Sequence, residues 1–143
     1  MKTKTLAVTA ILAVTALPAV GADFCTKTTV LSTTDDSGAR IGLVVAREDF
    51  AASPSWEPGK GPVPLSLEKA VEIAVKANQG SRATSPENIS LSSHTCNRSP
   101  RYWFYIFTFE EPTTDPSVAP KSSTIGVLLS GKVVRMTKLT DGI

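Results

Sequence analysis

Tyr102-Trp103-Phe104-Tyr105-Ile106-Phe107-Thr108-Phe109 is the segment on which the fold turns. Aromatic and β-branched residues follow one another without a break, which favours a strand over a helix. In a strand, Tyr102, Phe104 and Ile106 point one way, and Trp103, Tyr105, Phe107 and Phe109 point the other. Neither set is polar, so both faces of this strand need cover. The reading expects one face to receive a helix. The other must meet an N-terminal hairpin, a proline-rich crossover, a second copy of the chain or a partner.

The helix is found upstream, from Ser66 to about Gln79. Ser66 is placed to cap free N–H groups, Glu68 lies in the first turn, and Gly80 follows the last. Leu67, Ala70, Val71, Ala74 and Ala77 share a face, with Leu67 and Val71 as its larger anchors. Glu68, Lys69, Glu72 and Lys76 take the opposite face, where Glu72 and Lys76 are spaced to pair. Around the aromatic strand, Ile89 to Cys96, Thr124 to Leu129 and Val133 to Leu139 also read as strands. The last two are joined by a tight turn at Ser130-Gly131-Lys132. Nearer the N-terminus, Thr26 to Thr33 and Ile41 to Ala46 flank the turn cluster Asp35-Asp36-Ser37-Gly38 and suggest a hairpin.

Two stretches resist regular structure. Ala51 to Pro64 carries Pro54, Pro58, Pro62 and Pro64 with Gly59 and Gly61, a surface crossover in which Trp56 is expected to fold back over a core edge. Glu111 to Ser123 carries Pro112, Pro116 and Pro120 and reads as a loop able to present a recognition surface. Together these elements give an expected α+β class, with one amphipathic helix packed on an antiparallel sheet of about four to six strands.

The chain begins as an exported protein does. Lys2 and Lys4 precede an apolar run from Leu6 to Val20, and Val20-Gly21-Ala22 offers small residues for cleavage, so residues 1–22 read as a signal peptide. The run is shorter than the roughly twenty residues that cross a bilayer. The expectation is therefore a periplasmic or secreted domain, 23–143, with no membrane anchor after cleavage. The formal net charge of +2 rests on Lys2 and Lys4; without them, basic residues equal the 13 acidic ones. A neutral chain with scattered Lys and Arg lacks the footprint that nucleic acid demands. Two cysteines, Cys25 and Cys96, both lie in the exported part, where an oxidising compartment favours a disulfide between them. Such a bridge would close a loop of about seventy residues and disfavour the unfolded chain by roughly 4 kcal/mol.

Leu65-Ser66-Leu67-Glu68-Lys69-Ala70-Val71-Glu72-Ile73-Ala74, then Tyr102 to Glu110, then Val127-Leu128-Leu129-Ser130-Gly131-Lys132-Val133-Val134 give an order that resembles the PepSY-like module of bacterial secreted and membrane-associated proteins. The likeness spans about residues 65–139 of a core taken as 64–139, and a cystatin-like arrangement would read much the same. Ser130 stands where members usually carry an acidic residue, and the proline-rich loop is additional. The resemblance implies a small extracytoplasmic module that regulates or inhibits a peptidase or binds another partner, with no catalytic residues to carry over.

Chemistry is sparse elsewhere. His94 lies among Ser92, Ser93, Thr95 and Cys96, but on a strand only Ser92 shares its face, and no acid is placed to orient it. A hydrolase using His94 and a serine is the enzymatic alternative. Asp35-Asp36 and Glu110-Glu111 are adjacent carboxylates suited to solvent, not to facing each other across a cleft. The pattern calls for no cofactor and no metal. The reading is a non-enzymatic module that binds a protein or peptide, with Trp103, Tyr105, Phe107 and Trp56 as the candidate surface. A structural, self-associating envelope protein, paired through a spare aromatic face as a homodimer, is the second alternative.

Overall fold

The computed structural model describes residues 27–95 and 101–140. The signal peptide at residues 1–22, and Cys25 and Cys96 with their expected bridge, lie outside these residues. The elements in chain order are β1 (Lys27–Thr34), β2 (Arg40–Ala46), α1 (Arg47–Ala51), α2 (Leu67–Ala77), β3 (Asn88–Thr95), β4 (Arg101–Glu110), β5 (Ser122–Leu128) and β6 (Val133–Lys138). The six strands form one antiparallel sheet in the order β1-β2-β6-β5-β4-β3.

The α+β expectation is corrected here. The fold is mainly β, a six-stranded sheet curled into a half-barrel, with helix in only 15% of the described residues. The helical share was overweighted because the Ser66 to Gln79 pattern is the clearest local signal in the sequence, and one helix of 11 residues does not make a layer equal to six strands. That helix does form. Ser66 caps it, its hydroxyl accepting from the Lys69 N–H at 3.3 Å. Its buried face is narrower than expected: Ala70 and Ala74 are fully enclosed, while Leu67 remains 46% exposed. Small side chains bring the helix close to the sheet, and its end residues overhang the contact. On its outer face Lys69 pairs with Glu72 at 2.7 Å, one turn earlier than the expected Glu72–Lys76 pair.

The curl is built on two crowded positions. Gly126, at the centre of β5, leaves room that Leu43 of β2 occupies from two strands away; a Cβ there would meet Leu43 Cδ1 at 3.4 Å. Gly42 lies beneath the irregularity between Thr29 and Leu31 of β1, where a Cβ would lie 2.8 Å from the Leu31 carbonyl oxygen. Absent side chains at these points let β1 and β2 bend over the sheet instead of extending it.

Both faces of β4 are thereby covered. Tyr105, Phe107 and Phe109 join Ile125, Val127 and Leu129 beneath Ala70 and Ala74 of α2. Phe104 joins Leu128 and Val134 beneath Leu43 and Val45 of β2 and Phe50 of α1. The short helix α1 was not expected from the sequence. It closes the second core by placing Phe50 on Tyr102, ring centroids 4.7 Å apart.

Candidate functional site

Of the aromatic residues expected to form a binding surface, Tyr105 and Phe107 are buried, while Trp56 and Trp103 are half-buried. Phe107 is wholly buried and Tyr105 only 4% exposed. The Tyr105 hydroxyl donates to the Leu65 carbonyl oxygen at 3.0 Å, and burial, followed by the charge of Glu68, raises its pKa above the ordinary phenol value. Trp56 folds back on Trp103 edge to face at 5.1 Å and ties its own indole N–H to the Gly61 carbonyl oxygen. The Trp103 indole N–H is buried without an acceptor, a condition that costs about 1–3 kcal/mol. These four residues form one packed seam between crossover, helix and sheet. Strand alternation could not decide between an internal and an external cover, because an aromatic row looks the same under either.

His94 lies on the edge strand β3 opposite Tyr102, its ring stacked on Phe50 at 6.3 Å and 9°. No hydrogen bond or ion pair joins it to a hydroxyl or carboxylate among the described residues. No group of three or more His, Cys, Asp or Glu residues able to hold a metal ion occurs among them either.

A concave feature of the described residues lies elsewhere, where β5 and β6 part. Their pairing runs from Val127↔Val133 through Gly126↔Val134 and stops at Ile125↔Arg135. Beyond it, Ser122, Ser123 and Thr124 pair only with β4, while Met136, Thr137 and Lys138 pair only with β2. The sheet opens there as a wedge. The space between the strands is a cleft of about 550 Å³, within the range of ligand sites. One wall is Ser122, Ser123 and Thr124; the other is Arg135 and Met136, with Thr33 and Thr34 at the end of β1 and Asp35 and Asp36 of the following turn at its rim. Pro120 and Lys121 form the lip. A second hollow of about 280 Å³ adjoins it beneath the end of α2, sharing Asn78, Lys121 and Arg135.

The cleft is held open by bonds that engage its base. Asn78, buried at the end of α2, donates from its amide to the Ala83 carbonyl oxygen and accepts from the Ser123 hydroxyl at 3.0 Å. Arg135 donates to the Ala77 carbonyl oxygen, satisfying a helix-terminal acceptor with a cation where the helix dipole is negative. Two of the nearby carboxylates are spoken for. Asp35 accepts from the Ser37 N–H, the Ser37 hydroxyl and the Ala39 N–H, and these bonds, the Ser37 hydroxyl first, hold its pKa below the ordinary 3.8. Glu111 accepts from the Ser81 hydroxyl and the Arg82 N–H. The Lys121 ammonium makes no ion pair with any described residue.

Sequence reasoning missed this site. Its signals were the Ser122-Ser123-Thr124 opening of an otherwise apolar strand and an arginine inside Val133-Val134-Arg135-Met136, both easily taken for solvent-facing edges. Among the described residues no helix is long and apolar enough to cross a membrane. No protein-family profile matches the chain, and no curated protein or solved structure is found similar to it.

Proposed function

We propose that this chain is a small, exported, non-catalytic binding module whose ligand seat is the cleft between β5 and β6. The observation that carries the reading is the parting of two central strands beyond Ile125↔Arg135. A sheet ordinarily continues its ladder, because unpaired N–H and C=O groups need partners. Here the ladder stops in the middle of the sheet, over a base fixed by Asn78 and Arg135. A preformed concavity with convergent hydroxyl and cationic groups on rigid strands is the arrangement that binding sites use. Export rests on the leader-like Met1 to Ala22. The peptidase partner implied by the PepSY resemblance is one protein that such a seat could engage.

The test is a screen of polar fragments and tripeptides against the mature chain by ¹⁵N NMR. Shifts should centre on residues 122–125 and 135–138, and Ser122→Trp, which fills the cleft from an exposed position, should erase them with its Tm unchanged. Hits that map elsewhere, or that survive Ser122→Trp, would refute the assignment.

A further inference from the structure

We infer that the cleft takes an extended peptide segment carrying a carboxylate, added as a short strand along Ser122 to Thr124. The inference rests on the cleft being the seat, and adds the chemical class of its occupant.

The wall supplied by β5 is backbone. Successive residues of a strand direct their N–H and C=O groups to opposite sides. The Glu111 N–H donates to the Lys121 carbonyl oxygen, so by alternation Ser123, Ile125 and Val127 turn their backbone groups to β4, opposite Phe109, Phe107 and Tyr105. Gly126 therefore faces β6 and meets Val134. By the same alternation Thr124 and Ser122 also face β6, but past the last register pair, so that the ladder groups of Ser122 and the Thr124 N–H look into the cleft with no strand partner. A row of main-chain donors and acceptors at strand spacing is matched by another extended main chain, which is the basis of recognition by strand addition. A compact anion or a sugar would satisfy one or two of these groups and leave the rest unpaired.

The carboxylate follows from the charges. Lys121 at the lip makes no ion pair among the described residues, and Arg135 on the facing wall is exposed, with one of its two terminal nitrogens committed to Ala77. Asp35 and Glu111 keep their charge but are turned to their own neutral donors, and Lys138 acts on Asp35 from the same rim. Asp36 remains at the far rim, in the β1–β2 turn. Lys121 and Arg135 are cations at the cleft that no carboxylate of the described residues reaches within ion-pair distance, which sets the acidic end of the peptide beside Lys121.

The probe is the acetylated pentapeptide Ac-Val-Thr-Val-Thr-Asp with a free C-terminus. Its two twins are an amidated Asn-ended form and a form N-methylated at alternate residues. Titrated into the mature chain, the parent should shift the Ser122 and Thr124 amides, and N-methylation should weaken binding by about tenfold or more, because it removes the main-chain donors. Lys121→Glu should weaken the acidic peptide by about fivefold and leave the neutral twin unchanged. Equal affinity of parent and N-methylated forms, or no shift at millimolar peptide, overturns the inference. If polar fragments still map to the cleft in that case, the seat stands and only the peptide assignment falls; if they do not, both fall.

Discussion

Asp35 shows how one side chain can set a turn. Its carboxylate gathers three donors from Ser37 and Ala39, and they lower its pKa from the ordinary 3.8. A folded value below the unfolded one means that the stabilisation is complete above the unfolded pKa and is lost as pH falls through the folded one. The Ser37 and Ala39 amide shifts should therefore titrate with a midpoint below 3.8, and Asp35→Asn should abolish that titration. Tyr105 offers a second test. Tyr105→Phe deletes the bond to the Leu65 carbonyl and should cost about 1 kcal/mol in urea unfolding. Phe107→Ala, at a site with no exposed surface, should cost about 3–5 kcal/mol. Trp103→Ala should likewise lower Tm by opening the seam with Trp56, where an exposed binding aromatic would have left stability unchanged.

At the scale of elements, helix α2 was legible because capping and periodicity are local: Ser66 and the alanine face specify it within a dozen residues. Removing the cap by Ser66→Ala should cost about 0.5–1 kcal/mol, measured by thermal unfolding, since the hydroxyl is exposed and its bond to Lys69 is long. The strands around β4 were legible for the same reason. Helix α1 was not, since five residues with no side-chain cap leave no pattern, and Phe50 alone gives it a purpose. Gly42 carries no local signal within Ile41 to Ala46, yet Gly42→Ala would press a methyl group against the Leu31 carbonyl oxygen. That overpacking should destabilise the β1–β2 hairpin by about 1–3 kcal/mol, visible as loss of hydrogen-exchange protection at Leu43 and Val45.

At the scale of the whole molecule, the sequence spoke clearly about composition and poorly about partners within the sheet. Six strands could be counted, but which would be neighbours depends on β6 lying between β2 and β5, and no local pattern encodes that. The same blindness hid the cleft, which exists only because Met136 to Lys138 leave β5 to join Ile41 to Leu43. It also hid the fate of the aromatic face, whose cover arrives from α1, α2 and β2 together.

The last of the described strands is a middle strand of the sheet, and this bears on the order of events during synthesis. Ile41, already beside Thr33, waits for Lys138, about two-thirds of the chain later, before it gains its second neighbour. Contacts of such separation form slowly, because a long loop must close first. A nascent polypeptide lacking its final dozen residues would hold two unattached pieces, a hairpin on one side and β3 to β5 on the other. Such a chain stays threadable until β6 has emerged to join the two pieces.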